Sequence, residues 1–316
     1  DQEKVAAIFQ ELEFRRLMEN FNKTFNNKVK EEIQTQITKQ VKPIKKTPSA
    51  GTGQFSLFDV PAEVINNVAP YKRQNIKTVS HFYQFIDKDL AFELFLNQLY
   101  KQKSVCFDTE TTNLNALKAE LIGIAFSWES GKGFYIPFPQ NKLKAQTLIE
   151  KLRPFFENTS IEKIGQNLKY DLKVLRKYNI SVEGPLFDTM IAHYLINPDM
   201  RHNLNILAET YLNYSPLAIE ELIGKKGKNQ KSMAEVGIKD ITEYAVEDAD
   251  ITFQLAQHFK KEMSNTNTLN LFNNIEIPLI KVLAAMELEG ICLDINFLKG
   301  LSCLLYTSDA ADDAHG

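Results

Sequence analysis

The stretch SVCFDTETTNLNALKAELIGIAFSWESGKGFYIPF, residues 104–138, decides the fold. Within it SVCFDTE (104–110), LIGIAFSW (121–128) and GFYIPF (133–138) are short β-branched and aromatic runs. That composition suits strands on a packed, pleated surface. ESGK (129–132) supplies a hairpin connection between the last two, so three strands in meander are expected. Upstream, 89–101 has helical spacing. Downstream come a helix over 144–157 and a fourth strand, IEKIG (161–165). Beyond it the apolar spacing is helical almost throughout, over 167–178, 188–196, 203–213, 239–261 and 268–289. Strands followed by helices in this order imply an α/β class with a mixed sheet.

The surrounding chain sets limits. Its 316 residues offer room for about two ordinary domains. At 44% hydrophobic and 24% charged, it is not a wholly disordered polymer. No run of about 18 apolar residues is visible, so no membrane span or membrane partner is expected. DQEKVAAIFQ (1–10) lacks a basic segment followed by an apolar core, so no secretory signal is expected, and Asp1 in place of methionine reads as a fragment. Cys106, Cys292 and Cys303 form no motif with the five histidines. This argues against a zinc site or disulfide scaffold and suits a reducing, cytoplasmic setting. The net charge of −3 means that a nucleic-acid partner must be held by a local basic surface or by metal ions.

Residues 4–18 place Val5, Ile8, Phe9, Leu12 and Leu17 at helical spacing, a helix too short to fold alone. Residues 21–50 carry seven lysines and two glutamates, followed by PIKKTPSAGTGQ (43–54). The whole of 19–75 therefore reads as a disordered, flexible linker.

The chemistry shows as acids in apolar settings. Asp108 and Glu110 alternate onto one side of the first strand, about 7 Å apart along the chain. By itself such a pair is common. In helix 239–261, Ile241, Tyr244, Ala245, Ile251, Leu255 and Phe259 make an apolar stripe with Asp248 in its middle and Asp250 outside it. Tyr244 lies one turn before Asp248 on the same face. Asp171 falls beside Leu168 and Leu172 on the buried face of the helix that Asn167 opens as N-cap. A single inward acid serves equally as a cap, a structural ion pair or a metal ligand. Four of them from three separated elements repel one another unless cations neutralise them. Oxygen ligands without histidine or cysteine point to Mg²⁺ or Mn²⁺. That set suits two-metal phosphodiester hydrolysis, in which bound cations activate water and steady both oxygens. Tyr244 is placed to orient the attacking water, or serves as a core tyrosine.

FDTETT, GQNLKYD and YAVEDAD, in this order and separation, resemble the three exonuclease motifs of the DEDDy class, as found in the 3′–5′ exonuclease domain of bacterial DNA polymerase I. The resemblance runs over 76–266 and includes HNLNILAE (202–209) and GKKGKNQ (224–230). It implies a ribonuclease H-like mixed sheet flanked by helices. Residues 1–18 are similar to the last helix of the 5′-nuclease domain that precedes it in such enzymes, and 267–302 to the start of their polymerase domain. The stretch 303–316 contains CLLYTSDAADD (303–313), which resembles a translated sequencing adapter, has no helix periodicity after Tyr306 and is set aside.

Carried across, the resemblance implies that Asp108, Glu110, Asp171 and Asp248 hold two divalent cations and that Tyr244 positions the water. Leu114 would wedge against the terminal base, and Gln166 and Asn167 would touch the 3′-terminal nucleotide. The substrate implied is a single-stranded or frayed DNA 3′ end and the product a 5′-mononucleotide, in a nucleoid-associated bacterial enzyme whose intact chain adds a polymerase domain. Ile219 stands where members of the family place an aromatic against the strand. Lys225, Lys226, Lys228 and Lys231 read equally as phosphate contacts or as a solvated loop. Two other readings remain: a stand-alone ribonuclease of the same class acting on RNA 3′ ends, and a silent single-strand-binding scaffold.

Overall fold

The computed structural model describes residues 73–312 apart from 226, 228, 229, 265 and 267. The expected N-terminal helix, and the linker up to residue 72, lie outside the described residues. The last three linker residues belong to the folded domain, because Gln74 pairs with Tyr214 and its N–H donates to Asn213 O at 3.0 Å.

Six strands form one sheet: β1 (Phe82–Phe85), β2 (Ser104–Thr111), β3 (Leu121–Glu129), β4 (Lys132–Pro137), β5 (Glu162–Gly165) and β6 (Leu186–Asp188). Their spatial order is β1-β4-β3-β2-β5-β6. The meander β2-β3-β4 is antiparallel, while β1 pairs parallel with β4, β5 with β2 and β6 with β5. Only β3 therefore runs against the rest. β1 and β6 were not expected from the sequence. At four and three residues they are too short to show alternation, and β1 is an edge strand with Phe82 largely exposed.

Helices cover both faces. On one lie α1 (Asp89–Leu99), α2 (Lys142–Phe156) and α3 (Leu168–Lys177). Their apolar stripes close over Phe107, Phe126 and Phe134, with rings of Phe95, Phe155 and Phe156 packed 5.0 to 6.4 Å from their neighbours. Each such buried ring contributes roughly 1.5–3 kcal/mol. On the other face lie α4 (Thr189–Ile196), α5 (Leu204–Tyr211), α6 (Ile219–Ile223) and the 26-residue α7 (Ile238–Met263). The core there is Cys106, Ala125, Tyr135 and Ile164 against Ala245, Ala249, Leu255 and Phe259.

The expected helix over 268–289 is interrupted. A short α8 (Thr268–Leu271) and a π-helical turn (Phe272–Glu276) precede α9 (Ile277–Glu289). Contrary to the sequence reading, the stretch Thr268–Glu289 is long and apolar enough, by length and composition, to cross a bilayer. Its charges instead tie it to the domain: Lys281 pairs with Glu183 at 2.9 Å, and Glu287 with both Lys169 and Lys173 of α3. Ile280 and Ala284 are buried against that same side. A final α10 (Ile295–Asp312) continues past Tyr306 into the stretch set aside, correcting the expectation that helicity stops there.

Candidate active site

The site lies where β2, β5 and β6 end, the edge at which strand-to-helix turns of open α/β sheets gather side chains. Asp108 and Glu110 project from β2 toward α7. Across the ladder Asp108 faces Ala125 and Glu110 faces Gly123, both small, so the two carboxylates have room beneath the helix. A β-bulge between Glu110 and Thr111 then bends the strand away.

Asp171 arrives from the other side of the sheet. It sits on α3, is 3% exposed, and reaches around the strand end. Thr109, facing away from Asp108, anchors it: both the Thr109 N–H (3.1 Å) and its hydroxyl (2.5 Å) donate to Asp171 Oδ1. Asp248 comes down from α7 with Tyr244 one turn before it. Asp248 Oδ1 is buried and has no hydrogen-bond partner, although the Tyr244 hydroxyl faces the carboxylate closely enough to offset part of its raised pKa.

Electrostatically the four acids form one group. Burial pushes Asp108 up to about 6. Burial holds Glu110 well above the usual carboxylate range, and the charges of Asp108, Asp248 and Asp171 add to it. Asp171 and Asp248 are likewise raised by burial and by Asp108. Tyr244 is raised by burial and by Asp248, so it stays protonated and can donate. Among the described residues no lysine or arginine forms an ion pair with any of the four. Nor do any three His, Cys, Asp or Glu side chains among them stand as a finished ion cage. The acids are close enough to disturb one another, yet they are not drawn together. An orphaned, buried carboxylate oxygen in an uncompensated acidic group fits a hard divalent cation, which would relieve the repulsion.

The residues expected to touch nucleic acid are placed as follows. Leu114, in the β2–β3 connection, is 96% exposed. Gln166 is half-buried; its Nε2 donates to His202 O at 2.7 Å and its Oε1 accepts from the Thr189 hydroxyl. Asn167 is exposed, but it is not the side-chain cap expected. It adopts the left-handed conformation (φ 62°, ψ 47°) and makes no capping bond. Asp188 does that work. Its carboxylate accepts from Asn167 N and Leu168 N at the start of α3, and from Met190 N and Ile191 N at the start of α4. Ile219 begins α6 and is partly exposed. Lys225 and Lys231 are exposed, whereas Lys226 and Lys228 lie outside the described residues.

Two further acids of α7 escaped the sequence reading. Asp250, read as lying outside the apolar stripe, is 3% exposed and accepts from the Tyr83 hydroxyl (2.7 Å) and Gly131 N (3.0 Å). Glu247 is fully buried and accepts from the Tyr214 hydroxyl (2.6 Å) and Leu217 N (2.7 Å). Both fasten segments that cross α7, namely the edge of the sheet and the loop before α6. Asp188 did leave a signal: an acid directly before TMIAH (189–193) is an N-cap pattern.

A family described as 3′–5′ exonuclease, that of the A-type DNA polymerases, matches residues 83–264. The DNA polymerase I of Borreliella burgdorferi is 33% identical over 263 residues, which cover 82% of this chain but 28% of that enzyme. Among solved structures, the polymerase domain of Pol1 from M. smegmatis, in complex with DNA primer-template and dNTP, superposes with a TM-score of 0.59 at 20% identity, over 74% of this chain and 37% of that one. Brucella melitensis NrnC superposes with a TM-score of 0.52 at 21% identity, over 67% of this chain and 95% of its own length. It has also been solved with bound Mg²⁺ and bound to pGG. These likenesses show the fold to be that of the ribonuclease H-like exonucleases. Family match and relatives agree with the motifs on β2, α3 and α7: this chain belongs to the 3′–5′ exonuclease family carried by DNA polymerase I.

Proposed function

We propose that this chain removes nucleotides from the 3′ end of single-stranded or frayed DNA, releasing 5′-mononucleotides, as the proofreading part of a longer DNA polymerase I. The observation that carries the reading is the uncompensated acidic group, with Asp248 Oδ1 buried and unpartnered. Asp108, Glu110, Asp171 and Asp248 would hold two divalent cations, Mg²⁺ or Mn²⁺. Bound there, such ions supply a water whose pKa falls from near 16 toward about 7, and they offset charge on the attacking and leaving oxygens.

The remaining work belongs to the chain's own side chains. Tyr244, kept protonated by burial and by its acidic neighbours, donates to and orients the attacking water. Gln166 and Asn167, at the strand-to-helix turn, meet the terminal nucleotide, and Leu114 stands free to press against its base. A paired end must lose a few kcal/mol of stacking and pairing before it can enter, so unpaired ends are preferred.

Asp248→Ala tests the assignment. With 5′-labelled single-stranded DNA and Mg²⁺, hydrolysis should fall by orders of magnitude while DNA binding stays measurable. Unchanged hydrolysis would remove the role given to the cluster. A stand-alone ribonuclease would share this fold, so matched DNA and RNA oligonucleotides belong in the same assay. Faster digestion of RNA would favour that alternative.

A further inference from the structure

Glu110 pairs across the ladder with Gly123, Asp108 with Ala125, and Ala125 on its other side with Tyr135. Residues paired across antiparallel strands send their side chains to the same face, so Asp108, Glu110 and Tyr135 share one. The Tyr135 ring leans along that face over Gly123. A Cβ added at Gly123 would stand 2.1 Å from both the ring's Cζ and its hydroxyl oxygen. The missing side chain is what leaves the slot for the phenol. Since paired Cβ positions lie about 5 Å apart, the hydroxyl is within a carboxylate's reach of Glu110.

This hydroxyl is fully buried and has no hydrogen-bond partner among the described residues. Burial, then the charges of Glu110 and Asp108, keep its proton in place. Packing alone would be served as well by phenylalanine, without the cost of an unsatisfied donor. A carboxylate that ligates a cation does so best when its other oxygen is fixed by a hydrogen bond.

We propose that Tyr135 is a positioning residue for Glu110, its hydroxyl donating to the Glu110 carboxylate and setting the direction in which that carboxylate meets a cation. A turn of the Glu110 side chain about its own torsions brings an oxygen onto the phenol. The role rests on the proposed metal-dependent reading of the cluster, and Gly123 belongs to the same device.

The test compares the parent chain, Tyr135→Phe and Glu110→Gln. Three quantities are measured: the thermal midpoint in EDTA, calorimetric titration of the stripped chain with Mn²⁺ alone, and kinetics on single-stranded DNA. For Tyr135→Phe the midpoint in EDTA should be unchanged or higher, because the hydroxyl is spare in the fold. Mn²⁺ affinity should fall about tenfold, with kcat falling alongside and KM for DNA unchanged. Unchanged Mn²⁺ affinity overturns the proposal whatever the rate does. A lowered midpoint in EDTA, or failure to fold, overturns it as well by making the hydroxyl part of the core's own bonding. If Glu110→Gln keeps parental hydrolysis, the reading of the cluster fails. If it is inactive while Tyr135→Phe matches the parent, only the role of Tyr135 fails.

Discussion

Leu114 puts an apolar side chain almost wholly in water, on the connection that follows the two β2 acids. Nothing in the fold holds it there, so its removal is expected to change stability by no more than about 0.5 kcal/mol. Leu114→Ala should nevertheless slow digestion of fully paired 3′ ends several-fold and leave frayed ends nearly untouched. Equal loss on both substrates would show that the leucine does not act by prying the terminus open. At this scale the sequence was informative for some residues and silent for others. Asp248 could be singled out because it interrupts an apolar stripe. Glu247 and Asp250 could not, because a second set of partners (Tyr214, Leu217, Tyr83 and Gly131) buries the opposite side of the same helix. Asn167 holds the N-cap position read from the sequence, but whether its side chain caps depends on backbone conformation. In the left-handed region its side chain takes no part in the cap, and the duty passes to Asp188 from another strand.

Between elements, Asp188 is the most consequential single group. One carboxylate accepts from the N-termini of both α3 and α4. The helix dipoles also favour its negative charge, although burial raises its pKa overall. Asp188→Ala would leave donors at two helix starts without acceptors and should cost about 2–4 kcal/mol in urea unfolding. Asp188→Asn keeps most of the capping geometry and should recover the greater part of that loss. A loss under 0.5 kcal/mol for alanine would mean that the two starts are secured by other means. Long elements were legible from spacing, as with β2, β3, α2 and α7. The three-residue β6 was not, since its pairing with β5 and the cap that follows are properties of the assembled sheet.

The whole molecule carries an acidic cluster inside a fold that must tolerate it. The unfolded Asp108 carboxyl releases its proton near 3.8, and the folded one near 6. Between those values the folded chain binds the extra proton, so stability falls as pH rises through this window. Glu110, Asp171 and Asp248 are shifted in the same direction and extend the decline upward. In EDTA the thermal midpoint should therefore drop between pH 5 and pH 8, as judged by this cluster. Added Mg²⁺ should raise the midpoint most at the upper end, where the ligands are ionised. A midpoint insensitive to Mg²⁺ at pH 8 would leave the cluster without its proposed occupant.

Glu287 of α9 grips Lys169 and Lys173, the residues two places before and two places after Asp171 on α3. One acid of α9 thus straddles the helix that carries Asp171, one of the four proposed ligands. A displacement of α9 would therefore reach α3 through a two-pronged grip. Salt, which loosens partly exposed ion pairs, would slip that grip before it melted the sheet.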